Sequence, residues 1–200
     1  MAQRIAILGW GSLIWEDRPE FDKHRESWSS GGPDIKLEFS RISRETRAGA
    51  LTLVVDPING ASCRVSYARS KRRSLDDAIC DLRCREGTNL RNIGFVLADG
   101  SGDHGRDQVT VETIRDWAKT KGFDAVVWTD LPATLEVKDG QKFVDAALRH
   151  VHELEPEGKA RAAEYLWRAP EFVDTPFRRA LQQEPWFASN QNPSASKSGK

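Results

Sequence analysis

The chain has 200 residues, 38% of them hydrophobic and 30% charged, with 30 basic side chains against 30 acidic ones. Those proportions suit one globular domain large enough to bury a core, and the balanced charge gives no support to whole-molecule attraction to nucleic acid or a membrane. Three cysteines, Cys63, Cys80 and Cys84, are odd in number and too few for a disulfide framework, which points to a reducing cytoplasm.

The apolar run before Gly9 is too short for a signal-peptide core, and no stretch approaches the roughly 20 apolar residues of a membrane span. Residues 4–10, with Ile5, Ala6, Ile7 and Leu8 in succession, predict a buried first strand. A charged, glycine- and serine-rich stretch follows to Asp34. Strands are predicted at residues 36–43, 50–55 and 61–68. Between the last two lie Asp56, Pro57, Ile58, Asn59 and Gly60, and the closing Asn-Gly argues for a hairpin. A helix over residues 74–85 precedes a strand at 93–98, a glycine- and aspartate-rich loop at 99–107, a helix at 109–121 and a strand at 123–128.

The remainder reads as helical. Phe143, Val144, Ala147, Leu148, Val151 and Leu154 recur at helical spacing, and Ala160, Ala163, Leu166 and Trp167 continue it. Thr175 and Pro176 have the chemistry of a cap and first turn. From Ala188 onward small polar residues dominate, so residues 1–187 are expected to form one domain and residues 188–200 a disordered tail. Strands grouped first and helices last imply an α+β domain with a small mixed or barrel-like sheet, rather than alternating βαβ units.

Two segments carry chemistry. The first strand runs into Gly9, Trp10, Gly11 and Ser12. It lacks the third glycine of a dinucleotide-binding turn, and Ser12 lacks the flanking glycines of a nucleophile elbow. What survives is a tight turn whose N–H groups can hold a carboxylate or a developing oxyanion. The second segment is the end of the 74–85 helix. Projected at about 100° per residue, Glu86 falls about 20° from Leu75, between Leu82 and Ile79. Ser74 is a good N-cap and Gly87 a good C′ residue. Burial and the negative end of the helix dipole both push a carboxyl at Glu86 upward in pKa, toward the value a general acid/base needs. Arg83 and Arg85 oppose that shift if they fold back over the site.

Trp10-Gly11-Ser12-Leu13-Ile14-Trp15 resembles the (Tyr/Phe)-Gly-Ser-Leu-x-Trp signature of the gamma-glutamylcyclotransferase-like superfamily, especially its ChaC-type branch, with Trp10 as the loop aromatic in place of Tyr or Phe. Leu82, Arg85, Glu86 and Gly87, about seventy residues on, are similar to that family's L-x-x-(R/Q)-E-G segment. The resemblance covers about residues 4–130. It implies a gamma-glutamylcyclotransferase-like fold and a cofactor-independent, metal-free enzyme that converts a gamma-glutamyl compound, glutathione among the candidates, to 5-oxoproline and a free amine. Glu86 is then the catalytic acid/base, and Trp10, Gly11, Ser12 and Leu13 bind the substrate.

The alternative, from a different class, is a non-catalytic module of the same fold that binds an acidic small molecule. Trp10 favours it, whereas Glu86 favours catalysis. A third reading is weak nucleic-acid binding through residues 64–73; the basic cluster there, Arg69, Lys71, Arg72 and Arg73, lacks aromatic partners, and a solvated loop is the better reading. His150 and His152 do not share a helix face, and Cys80 and Cys84 have no histidine partner for zinc. Of Arg41, Arg44 and Arg47, one is placed to reach a substrate carboxylate, and Thr129 and Asp130 end a strand facing the presumed cavity. Neither nucleic acid nor membrane is an expected partner, and the sequence leaves the oligomeric state open.

Overall fold

The structure, a computed structural model, describes residues 3–135, 137 and 140–189. The first apolar run forms β1 (Ile5–Gly9), buried along its whole length. Successive side chains of a strand point to opposite faces, and here both faces are covered. Ile5 and Ile7 join one core with Ala125 and Val127, while Ala6 and Leu8 join a second with Val126 and Trp128. β1 lies inside a five-stranded sheet ordered β5 (Ser66–Arg69), β1, β8 (Ala125–Thr129), β6 (Ile93–Leu97), β7 (Asp103–His104). The β1–β8 pair is parallel and the other pairs are antiparallel, so the sheet is mixed.

A separate three-stranded antiparallel sheet holds β2 (Asp34–Ser43) between β3 (Ala50–Val55) and β4 (Ala61–Arg64). This overturns the hairpin expected across residues 56–60. Leu37 of β2 faces Val55 on one side and Ala61 on the other, so β3 and β4 never pair with each other. The Asp56 carboxylate accepts the N–H groups of Ile58 and Asn59, at 3.1 and 2.9 Å. The Asp56 N–H meanwhile donates to the Lys36 carbonyl at 3.0 Å. The connection is therefore an Asx-turned arch over the end of β2, a use of Asp that competes with a hairpin turn.

The strand expected over residues 61–68 is also divided. Val65 is buried and donates its N–H to the Pro33 carbonyl at 3.1 Å. It carries the chain from the smaller sheet at β4 to the larger one at β5. The single small sheet expected from the sequence is thus two sheets facing a common core that contains Leu8, Leu37, Phe39, Leu51, Val126 and Trp128.

Helices complete an α+β fold. α4 (Leu75–Glu86) covers the Ile5–Ile7 face through Ala78 and Leu82, and α5 (Gln108–Lys121) enters the common core through Val111, Ile114 and Ala118. Two one-turn helices, α1 (Ser12–Trp15) and α2 (Pro19–Asp22), occupy the stretch read from sequence as loop, and α3 (Arg44–Arg47) follows β2. α6 (Gly140–Glu153), α7 (Pro156–Arg168) and α8 (Pro176–Gln182) pack behind the smaller sheet. Thr175 caps α8 by accepting the Arg178 N–H at 3.2 Å. The buried stripe of α7 is Gly158, Ala162, Ala163, Tyr165 and Leu166. Ala160 and Trp167, expected inside, face out, and the Trp167 ring instead stacks on Phe187 at 4.9 Å.

α9 (Pro185–Ser189) takes in Ala188 and Ser189, which the sequence assigned to the tail; the rest of that tail lies outside the described residues. Among the described residues no helix is long and apolar enough to cross a membrane.

Candidate active site

At the end of β1 the chain must turn from a buried strand into α1, and Gly11 makes the turn with φ 59° and ψ −149°, a region that only glycine occupies cheaply. A β-carbon at that position would lie 2.5 Å from the Tyr165 hydroxyl oxygen. Conformation and space therefore both require glycine. The Gly11 carbonyl accepts the Ile14 N–H at 3.1 Å, and the Ser12 carbonyl accepts the Glu16 N–H at 2.9 Å.

α4 ends opposite this turn. Gly87, with φ 58°, closes the helix as a left-handed cap, and the Thr88 N–H returns to the Arg83 carbonyl at 3.2 Å. Ser74 occupies the N-cap position without a side-chain bond. The Leu75 N–H is instead taken by Gln3 Oε1 at 3.1 Å. Because Ala78 and Leu82 turn inward, Glu86 one turn further on is brought to the same side, with its side chain 15% exposed.

Arg85 ties the two segments together. Its side chain is 5% exposed, and its Nη2 donates to the Ser12 carbonyl at 3.1 Å. The same guanidinium lies 3.5 Å from Glu86 Oε1 and 3.7 Å from Glu16 Oε2. Glu16 is also hydrogen-bonded by Arg47. Burial works to raise the Glu16 pKa, but the Arg47 hydrogen bond and the charges of Arg47, Arg85 and Arg18 outweigh it, and the group sits below its ordinary value. Glu86 goes the other way. Burial pushes it up, Glu16 adds to the rise, and Arg85, Arg47 and Arg18 oppose it without cancelling it. Among the described residues no hydrogen bond reaches the Glu86 carboxylate, and its one ion pair is that of Oε1 with Arg85.

Tyr165 is the site residue that sequence reasoning missed. It stands on the buried stripe of α7, 4% exposed. The Trp15 ring meets it edge-on at 5.2 Å, and the Arg47 guanidinium covers its face at 4.6 Å. Burial raises the pKa of its phenol. Arg47 and backbone hydrogen bonds from Leu53 and Ser12 oppose that rise, while Glu86 reinforces it. A tyrosine hydroxyl can both accept and donate a hydrogen bond. A signal was present in the sequence: Tyr165 lies three and four residues from Ala162 and Ala169 on one helical face, and a buried tyrosine needs a partner for its hydroxyl.

These groups surround one cavity of about 630 Å³, within the range of small-molecule sites. Trp10, Ser12, Leu13 and Glu86 all line it, as do Tyr165 and Leu53. Gly11 lies behind the lining, against Tyr165. The Leu13 N–H, one of the loop amides named from the sequence, has no hydrogen-bond acceptor among the described residues.

Arg41, Arg44 and Arg47 line the cavity together, as does Thr129. Asp130 is buried beside it and accepts the Arg106 N–H at 2.7 Å. The basic group around Arg72 is elsewhere: Arg72 is paired with Asp81 at 2.7 Å and touches His24 at 3.0 Å. Cys80 and Cys84 are exposed on the outer face of α4, where Arg83 approaches both sulfurs.

Compared with known proteins, the chain matches no protein-family model and no curated protein.

Proposed function

We propose that the chain is a cofactor-independent cyclotransferase of gamma-glutamylcyclotransferase-like fold, converting a gamma-glutamyl amide or peptide to 5-oxoproline and a free amine. The observation that carries this reading is Glu86. It is a carboxylate only 15% exposed, with a raised pKa and no hydrogen-bond partner among the described residues, facing the β1–α1 turn across one cavity.

The chemistry asks little of a protein. A gamma-glutamyl amide carries its nucleophile, the α-amine, in the same molecule as its γ-carbonyl, and holding the two together supplies much of the rate. Glu86 takes one proton from the α-ammonium group. The freed amine attacks the γ-carbonyl carbon, a ring N–C bond forms, and the carbonyl π electrons move to oxygen. We assign the donors for that oxyanion to the Tyr165 hydroxyl and the Leu13 amide, because both residues line the cavity. As the oxyanion collapses the bond to the leaving nitrogen breaks, and Glu86 delivers its proton there. The second α-nitrogen proton leaves with the released amine, which departs as ammonium. General acid/base assistance of this kind is worth about 10²–10⁴-fold. Arg85, held by the Ser12 carbonyl and Glu16, keeps the carboxylate and the turn in register.

The test is 5-oxoproline release from a panel of gamma-glutamyl compounds, glutathione included, by wild type and Glu86→Gln. Release that Glu86→Gln lowers at least about a hundredfold, with an unchanged melting curve, supports the assignment. Full activity in a folded Glu86→Gln protein refutes it. Binding of a glutamyl compound without any release selects the non-catalytic module.

A further inference from the structure

Outside the cavity just described, α2 and α4 border a second, smaller one. Phe21 of α2 joins Ala78 and Leu82 of α4 in one core, which seats the short helix against the long one. Beside that contact lies a cleft of about 320 Å³, bounded by Arg18, Glu20 and Phe21 on one side and by Asp81, Cys84 and Arg85 on the other. The last three share a face of α4, being three and four residues apart. A thiol therefore borders a cleft large enough for a small ligand.

Charge decides which ligand. Both carboxylates at the cleft are already engaged, Glu20 by Lys23 and Asp81 by Arg72 in a two-point contact at 2.7 and 2.9 Å. The cations are less completely used. Arg18 has a 3.6 Å ion pair with Glu16 and a side chain 58% exposed. Arg85 is 5% exposed, and its buried Nε has no hydrogen-bond partner among the described residues. A buried N–H without an acceptor is costly, and a guanidinium fork suits a carboxylate. The cleft favours an anion.

Cys80 and Cys84 offer a comparison within one helix. Both thiols are exposed. Arg83 Nη2 stands 3.5 Å from the Cys84 sulfur and 4.0 Å from that of Cys80, an electropositive setting of the kind that favours exchange. Arg83 thus serves both, whereas of the two only Cys84 lines the cleft. Nor do the pair close easily on each other. Residues four apart on a helix hold their β-carbons about 5–6 Å apart, against the roughly 3.5–4.5 Å of a disulfide. While α4 stays wound, an adduct on Cys84 is not displaced by Cys80.

We propose that Cys84 is a thiol–disulfide exchange site whose cleft selects small disulfides that carry carboxylates. The Cys84 thiolate attacks one sulfur, the new S–S bond forms as the old one breaks, and the other half departs as a thiolate that takes up the proton Cys84 released. The disulfide is the oxidant, and no further reactant is needed. Arg85 gives the adduct a consequence that rests on the cyclotransferase reading. The same side chain lines both cavities and holds the Ser12 carbonyl and Glu86. A carboxylate drawn to it from the cleft loosens the acid/base and slows 5-oxoproline release.

Glutathione disulfide carries carboxylates and cystamine carries only amines, so the two make the test, with labelling rates at Cys84 and Cys80 read by peptide mapping. Both thiols sit in one molecule, so their ratio cancels the intrinsic reactivity of the reagent. With glutathione disulfide Cys84 is expected to react at least about tenfold faster than Cys80, and with cystamine within about threefold. Arg18→Met is expected to lower the first ratio and leave the second. Equal labelling by glutathione disulfide, the same ratio with both reagents, or a Cys80–Cys84 disulfide as the main product overturns the site.

Protein modified at Cys84 and freed of reagent is expected to release 5-oxoproline at least about fivefold more slowly. Dithiothreitol should restore the rate, and the reagent should leave Cys84→Ser unaffected. Unchanged release from fully modified protein overturns the control through Arg85 and leaves the site standing. No release from unmodified protein overturns the reaction and its control together, and the labelling ratio still decides the site.

Discussion

Glu38 offers the sharpest quantitative test of how this core is built. It lies on β2 next to a register shift and is fully buried. Oε1 accepts the Phe39 N–H at 2.8 Å, and Oε2 accepts the Phe177 N–H at 3.3 Å. Burial dominates over these donors and the Thr175 hydrogen bond, Asp56 adds to it, and the carboxyl is pushed up from 4.5 to about 7. Between those two values the folded protein holds a proton that the unfolded chain has released. Stability from this group is therefore complete below the unfolded value, falls as pH rises through the window, and is gone above about 7.

At about 1.4 kcal/mol per pH unit of separation the whole effect is about 3 kcal/mol, of which about 2.5 kcal/mol falls between about pH 5 and about pH 8. Glu38→Gln stays neutral throughout. Urea denaturation of both proteins across that range should show the variant gaining about 2.5 kcal/mol on wild type, or about 5–10 °C in Tm for a chain of this size. A constant offset is expected from the amide nitrogen that Gln places against a backbone donor, so the change with pH is the quantity to read. Other titrating groups cancel in the difference when they do not touch Glu38. A difference that stays level within about 0.5 kcal/mol refutes the reasoning and makes Glu38 an ordinary ionised cap.

Three further outcomes bear on the site. Gly11→Ala combines a backbone region that costs about 1–3 kcal/mol for a side chain with an overlap against the Tyr165 hydroxyl. A Tm loss of at least about 4 °C is expected in thermal denaturation, and an unchanged Tm contradicts the turn geometry. Tyr165→Phe removes a buried hydroxyl, costing about 1 kcal/mol in chemical denaturation, and is expected to lower kcat more than it raises KM; a purely stability effect removes Tyr165 from the reaction. The acid limb of kcat/KM for 5-oxoproline release should lie above the ordinary carboxyl range, because Glu86 must lose its proton to act as base and its pKa is raised. Glu16→Gln removes a negative neighbour and frees Arg85, so it should move that limb to lower pH; movement upward contradicts the electrostatic account.

What was legible in the sequence was what short-range physics decides. The run Ile5 to Leu8 has to be a strand covered on both faces. The projection that put Glu86 beside Leu75 and Leu82 depends only on helical pitch, and Gly87 ends the helix because φ 58° favours glycine. The misreadings share one origin, competition from partners far along the chain. Asn59 and Gly60 have hairpin chemistry, but β2 had already taken the place between β3 and β4, and Asp56 spends its carboxylate on the arch. Residues 61–68 alternate like one strand, yet Val65 answers to Pro33 and passes the chain between sheets.

The same reasoning explains why half the site was visible and half was not. Glu86 and the glycine turn each announce themselves locally, since one is a carboxylate on an apolar stripe and the other a positive-φ position. Tyr165 showed only as one member of an apolar helical face, and Arg41 and Arg47 only as two of three arginines after a strand start. Their environments exist only once α7, α3 and β2 have packed around the end of β1. Arg41, one of three arginines that the sequence offered for a substrate carboxylate, becomes distinct when tertiary structure half-buries it and supplies, among the described residues, no carboxylate partner. A half-buried charge without a counterion among the described residues is information that only the fold can create, whereas the place of Glu86 on an apolar stripe could be read from the helix alone.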